Sequence, residues 1–330
     1  MLTLPDFAEK KIVVVFSMNG EKISFKNDNI LVTDSEGKTK MQFTCYRLFA
    51  VFIVGGFTLT TGIVERSKKF GFSIVMFTAN FKVHSAINFV LEGNTHLRRK
   101  QYLCDAETEN EIARQIIINK IENQRDMLKK LRNPAFTEGT EKLDEIINLL
   151  SAAHNISGQE IMGYEGTASK VYFTRMFFGF DWHGRRPRVK QDEINLLMDI
   201  GYTVLFNYIE AVLNIFGFDV YKGNLHKEFY KRKSLVCDII EPFRPIIDYK
   251  IRKAINLGQT RSYDYFLDNR QFRIGWKDSS RFVLLILEEI IRHRIGIYKY
   301  VQQYYRWFMK AKSVPLFPKA SIEEDDNCKL

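Results

Sequence analysis

The residues of this 330-residue chain best equipped for chemistry lie between positions 163 and 245. His226 ends the segment Gly223-Asn-Leu-His226. Two carboxylates follow it in Ser234-Leu-Val-Cys-Asp238-Ile-Ile-Glu241-Pro242-Phe-Arg244-Pro245. Both acids are surrounded by apolar residues, and a buried carboxylate requires a cation, a hydrogen-bonding partner or a proton. A divalent metal held with His226 is one way to meet that need, and an ion pair with Arg244 or Lys250 is the other. Upstream, Glu165 precedes a run of small residues, Gly166-Thr-Ala-Ser169. Small side chains admit a ligand, and they equally permit a close helix crossing. A third element, His183-Gly-Arg185-Arg186-Pro-Arg188, runs toward the helix-like stretch from Asn195 to Tyr202. It reads as a phosphate-contacting loop or as a solvated basic loop.

Other chemistries lack support. The chain has no phosphate-binding loop, no GxGxxG and no GxSxG. His84, His96, His154, His183 and His293 stand apart from suggestive carboxylates and read as surface or satisfied core residues. Cys45, Cys104, Cys237 and Cys328 show no CxxC spacing, so neither a disulfide framework nor a zinc knuckle is expected, and a reducing cytoplasmic setting follows. The longest uncharged stretch, Leu48 to Val64, is shorter than the roughly 20 residues of a spanning helix and is broken by glycines and threonines. No membrane association is expected. The charge points elsewhere. Between 226 and 312 there are 19 lysines and arginines against nine acids, which accounts for the whole net charge of +10. A basic surface so localised suits a polyanion, nucleic acid above all.

The elements that must position these groups fall into two kinds. A hydrophobic fraction of 45% supports real cores and excludes a disordered chain. Strands are expected at Ile12–Phe16, Lys22–Phe25, Ile30–Thr33, Thr39–Cys45, Ala50–Val54 and Phe72–Phe77. One helix is expected at Leu59–Phe70, with Thr58 as its N-cap and Gly71 closing it. Helical periodicity then takes over, at Glu107–Leu131, Glu141–Ala153, Gln159–Phe177, Gln191–Phe216, Ser234–Asn256 and Asp278–Met309. The predicted class is α+β: a small β-sandwich-like domain over 1–85, a linker at 86–105, an all-α domain over 106–312 and a mobile tail from 313 to 330.

In order along the chain, Glu165-Gly-Thr-Ala168, Arg185-Arg-Pro187, Asn195 to Tyr202, Gly223 to His226 and Ser234 to Pro245 resemble the motifs of CRISPR-associated protein one, the integrase of CRISPR adaptation. Arg99-Lys-Gln-Tyr102 and Lys120-Ile-Glu-Asn-Gln124 resemble its interdomain region, and the β-first layout agrees. The resemblance implies a metal-dependent DNA integrase and endonuclease that inserts short protospacer duplexes into a CRISPR repeat array by 3′-hydroxyl attack. It implies Glu165, His226 and Glu241 as ligands of Mn²⁺ or Mg²⁺, with Asp238 an acid that supports them. It also implies a homodimer through the β domain and, as partner, a small ferredoxin-like dimer, CRISPR-associated protein two. Hard carboxylates suit either metal, and one imidazole favours Mn²⁺. Pro242 is expected to push Glu241 out of helical geometry and swing it toward His226. Arg185, Arg186, Arg244, Arg270, Arg273 and Lys277 are candidate DNA contacts, the last three by position alone. A branched-DNA nuclease needs the same site. A non-catalytic nucleic-acid scaffold would not keep all four polar residues.

Overall fold

A computed structural model describes residues 4–79, 83–87, 94–187, 189–261, 263–310 and 316–322. A short helix α1 (Leu4–Ala8) leads into β1 (Lys11–Phe16), then β2 (Lys22–Lys26), β3 (Asn29–Thr33), β4 (Thr39–Thr44) and β5 (Leu48–Val54). Helix α2 (Thr61–Phe70) connects β5 to β6 (Ser73–Phe77), and β7 (Val83–Ile87) follows. Two sheets result. β1, β5, β6 and β7 form one in that order, parallel except for the β6–β7 pair. β2, β3 and β4 form an antiparallel meander.

Strand β5 is buried along its whole length because both faces are covered. Val51 and Ile53 share a core with Val13, Ile74, Ile30 and Val32, so the two sheets face each other, with Ile63 of α2 alongside. Ala50, Phe52 and Val54 point the other way and join the core of the helical region. Phe49 lies 5.3 Å from Tyr208, and Phe7 stacks on Tyr298 at 4.2 Å.

The helical region begins with α3 (Thr95–Tyr102) and the long α4 (Ala106–Lys130). α5 (Thr137–Ala152), α6 (Gly158–Met176) and α7 (Glu193–Phe216) follow, then α8 (Ser234–Ile240) and α9 (Arg244–Asn256). A hairpin, β8 (Tyr265–Asp268) and β9 (Gln271–Ile274), precedes α10 (Trp276–Arg292) and α11 (Arg294–Lys310). The N-terminal β-rich region and the predominantly helical remainder agree with the expected α+β class. Helix α7 is long and apolar enough to span a membrane, and 83% of its apolar window is buried inside the protein.

Several expectations need correction. Helix α2 starts at Thr61 behind Thr60, not at Leu59 behind Thr58, because Phe57 and Leu59 pack against the β core before the helix begins. β7 was not expected: its exposed His84 and Ser85 blur any alternation. The helical region is not all-α. The β8–β9 hairpin turns through Asn269 and Arg270, both at positive φ (49° and 61°), the geometry of a type I′ turn without its usual glycine. The stretch 278–309 is two helices broken at His293, whose ring contacts the carbonyls of Glu289 (2.9 Å) and Ile322 (3.1 Å). The expected linker contains α3. Within the expected mobile tail, Ala320 is buried and exchanges hydrogen bonds with Asn119, at 2.6 and 3.1 Å. Residues 323–330 of that tail lie outside the described residues.

Candidate metal centre

The site is built around one buried acid. Asp238 is fully buried on α8, and its oxygens accept the backbone N–H groups of Asn224 (2.6 Å), Leu225 (3.0 Å) and His226 (2.9 Å). The chain therefore wraps over the carboxylate, and Gly223 allows it to. A Cβ there would stand 2.8 Å from the backbone of Ser234 and 2.9 Å from Asp238 Oδ2. Asp238 Oδ1 also lies 2.7 Å from His226 Nδ1. A carboxylate only accepts, so in the neutral ring the proton sits on Nδ1 and Nε2 presents its lone pair. That is the tautomer and support found behind metal-ligating histidines. Asp238 thus positions His226 and has no free lone pair facing outward.

Glu241 departs from expectation in an informative way. It keeps helical geometry (φ −54°, ψ −48°). Pro242 cannot donate to the Asp238 carbonyl, and the Glu241 N–H does so instead, tightening Glu241–Phe243 into a 3₁₀ turn. The Glu241 side chain is buried. Its Oε1 lies 3.0 Å from Arg244 Nε and its Oε2 lies 2.7 Å from Lys120 Nζ. Apart from that ammonium, no hydrogen-bond donor reaches the buried Oε2 among the described residues. Burial pushes the Glu241 carboxyl up, but Arg244 and then Lys120 more than reverse this, holding it at about 2. His226 acts in the same direction, and its ring lines the same cleft as Glu241.

Glu165 reaches the same ammonium from α6. Its Oε1 lies 2.5 Å from Lys120 Nζ and accepts the Ser169 hydroxyl at 2.8 Å. The two glutamates are therefore separated by no more than the sum of their contacts to Lys120. Of the small residues after Glu165, Ala168 packs in the core while Ser169 orients the carboxylate. Lys120 itself sits on the buried face of α4, between Ile117 and Ile121. Burial lowers its ammonium pKa, and Glu241 and Glu165 raise it above the ordinary value.

Among the described residues no three His, Cys, Asp or Glu side chains stand together in an arrangement that could hold a metal ion. The donor chemistry nevertheless fits a hard divalent cation. Two carboxylates converge on one ammonium, one of them with a buried oxygen that only this ammonium approaches, and an oriented imidazole faces the same cleft. The positive charge that such a cation would bring is supplied here by Lys120.

These groups line a cleft of about 1690 Å³ whose walls also carry Arg185, Arg244, Arg273, Lys170 and Lys190. Arg185 binds Asn195 (3.0 Å) and Asp199 (2.6 Å), and Arg244 lies over the Tyr202 ring at 4.6 Å. Much of their charge is spent on holding the wall. Arg186 is exposed and donates to Gln191. Arg270 and Lys277 are exposed, and Arg273 pairs with Asp268 at 3.4 Å. The cleft lining also includes a group that sequence reasoning missed. Asp248 accepts hydrogen bonds from Tyr172 (3.1 Å) and Tyr202 (2.5 Å). Burial raises its carboxyl to about 6, against the pull of both tyrosines and of Arg244 and Arg185.

Comparison with known proteins agrees with this layout. The family model for CRISPR associated protein Cas1 matches residues 14–285. A CRISPR-associated endonuclease Cas1 of Thermodesulfovibrio yellowstonii is 28% identical over 290 residues, covering 83% of this chain and 87% of that protein. Among solved structures, a casposase bound to integration product superposes with a TM-score of 0.79 at 20% identity, over 96% of both chains. A Cas6-RT-Cas1–Cas2 complex superposes with a TM-score of 0.74 at 21% identity, over 96% of this chain and 36% of the other. With the family match running from β1 into α10, and with Glu165, His226, Asp238 and Glu241 all inside it, the chain belongs to the Cas1 family of CRISPR-associated proteins.

Proposed function

We propose that this protein is a metal-dependent DNA integrase that joins short protospacer duplexes to a CRISPR repeat array. The observation that carries the reading is the convergence of Glu165, His226 and Glu241 on one basic cleft. Glu165, His226 and Glu241 would hold Mn²⁺ or Mg²⁺, which when bound activates an attacking 3′ hydroxyl and neutralises charge on the phosphate. The chain's own residues do the rest. Asp238 fixes the His226 ring, Ser169 fixes Glu165, and the cleft's arginines and lysines carry the DNA backbone. Arg186, Arg270, Arg273 and Lys277 extend that basic track beyond the reacting phosphate.

The partners follow from the relatives. A Cas6-RT-Cas1–Cas2 complex among similar structures supports Cas2 as a partner, and a casposase bound to integration product supports DNA joining over simple cleavage. A homodimer through the β-rich region is part of the same proposal, because β2 and β4 leave edges that need cover. The setting is cytoplasmic. Glu165→Ala, assayed with Cas2, Mn²⁺ and a labelled duplex on a repeat-bearing plasmid, is expected to lose strand transfer and cleavage while keeping its circular dichroism spectrum. An active, metal-dependent variant would remove Glu165 from the site. Wild-type cleavage of branched DNA without any joining would favour the nuclease reading instead.

A further inference from the structure

The loop immediately after His226 carries a second, unassigned feature. Lys227-Glu-Phe229-Tyr230-Lys231-Arg232-Lys233 leaves Phe229 74% and Tyr230 80% exposed. Phe229 to Arg232 forms a turn closed by the Arg232 N–H on the Phe229 carbonyl at 2.9 Å. Lys231 occupies its third position at φ 58°, left-handed backbone that a non-glycine residue adopts at a cost. The Lys231 ammonium then lies 5.0 Å over the Tyr230 ring.

The tip is exposed, but its base is fixed. The Ser234 hydroxyl donates to the Lys227 carbonyl at 3.2 Å, and Lys233 clamps both oxygens of buried Glu210 at 2.7 and 2.8 Å. Lys227 pairs with Glu109 at 3.2 Å. Phe229 is three positions past His226, so their Cα atoms are at most about 11 Å apart. Two large aromatic rings are therefore held in solvent, among basic side chains, next to the candidate centre.

We propose that Phe229 and Tyr230 stack on bases of a DNA strand that has lost its pairing beside the reacting phosphate. Aromatic rings interleaved with cations match the chemistry of single-stranded nucleic acid, where bases stack and the backbone follows positive charge. A protein-docking patch is depleted in lysine, and this turn is rich in it. The inference rests on the DNA-joining role proposed above and assigns to this turn the contact with an unpaired stretch of that DNA.

The test is binding of the full-length protein to two DNAs that share one sequence, an intact duplex and a duplex with an unpaired branch. The branch carries 2-aminopurine. In a Phe229→Ala/Tyr230→Ala variant, affinity for the branched DNA should fall about 5- to 100-fold per stacked base, and the 2-aminopurine quenching should disappear. Duplex affinity and the salt dependence should stay unchanged, because no charge is removed. Restoring an aromatic ring with Tyr230→Trp should restore quenching. Equal losses on both DNAs, or none, would overturn the proposal. So would a change in molecular mass by light scattering with branched-DNA binding intact, which would make the tip a contact between protein copies. Failure of the wild type to bind either DNA would instead count against the DNA-joining role itself.

Discussion

Lys120→Met isolates the electrostatic logic of the centre. Methionine keeps the length and helix propensity of lysine and removes only the ammonium. In the metal-free protein this leaves Glu165 and Glu241 facing each other with their shared cation gone, and Arg244 still beside Glu241. Breaking a buried ion pair from one side costs about 3–5 kcal/mol. The depth of the Glu241 shift, from 4.5 to about 2, is worth about 3 kcal/mol on the same scale. Unfolding a chain of 330 residues carries an entropy of about 0.7 kcal/mol/K, so Tm should drop by about 4–7 °C. Metal should then act more strongly on the variant, because the vacated carboxylates bind it without displacing an ammonium. Thermal unfolding of both proteins, with and without Mn²⁺, measures this directly. The Mn²⁺-induced rise in Tm should be larger in Lys120→Met, and calorimetry should show tighter Mn²⁺ binding. A variant as stable as the wild type, or one that gains nothing extra from Mn²⁺, would refute the idea that Lys120 stands in for the metal's charge.

Three other outcomes are expected. Glu241→Gln should weaken Mn²⁺ binding more than Asp238→Asn does in calorimetric titration, since Asp238 spends its oxygens on three backbone N–H groups and His226; the reverse ranking would make Asp238 the ligand. Asp248→Asn should flatten the pH dependence of metal-free stability between about pH 4 and 6. The folded carboxyl is raised from 3.8 to about 6, so it is protonated there while the unfolded one is not, and stability falls as pH rises by up to about 3 kcal/mol; an unchanged slope in denaturant titrations at several pH values would assign that dependence elsewhere. Reversing the charges of Arg270, Arg273 and Lys277 should flatten the plot of log K for DNA against log salt by about 0.9 per lost phosphate contact, and an unaltered slope would turn that cluster away from DNA.

The sequence made some parts of this molecule readable and hid others for physical reasons. The strands of the first region showed because short apolar runs alternate with turn residues, and the long helices showed because isoleucine and leucine recur at helical spacing. β7 and the β8–β9 hairpin did not show, since the first is half polar and the second turns on Asn269-Arg270 rather than a glycine pair. His226, Asp238 and Glu241 were visible as polar residues in apolar surroundings. Lys120 gave the same kind of signal, a charge on the isoleucine stripe of α4 flanked by Ile116, Ile117 and Ile121, but its partners lie 45 and 121 positions away. Spacing along one helix says nothing about which acids face it. Asp248 is likewise explained only by Tyr172 and Tyr202, which arrive from α6 and α7.

Helix α4 ties these observations together. One turn beyond Lys120, Asn123 donates to the Pro242 carbonyl at 2.8 Å, so the helix that supplies the internal cation also holds the 3₁₀ turn carrying Glu241. Asn123 reaches the Ala320 carbonyl at 3.3 Å as well, and Asn119 pairs with both backbone groups of Ala320. Pro242 is well suited to its place: lacking an N–H, it forces the tight turn, while its carbonyl is left free for Asn123. The resemblance motif Lys120-Ile-Glu-Asn-Gln124 therefore has a physical content beyond the site itself. Lysine balances the two glutamates, and asparagine fixes the height of one of them relative to the other. A shift of that turn would separate Glu241 from His226 without altering a single donor atom. The geometry of the centre thus depends on a buried amide as much as on the charged groups that line the cleft.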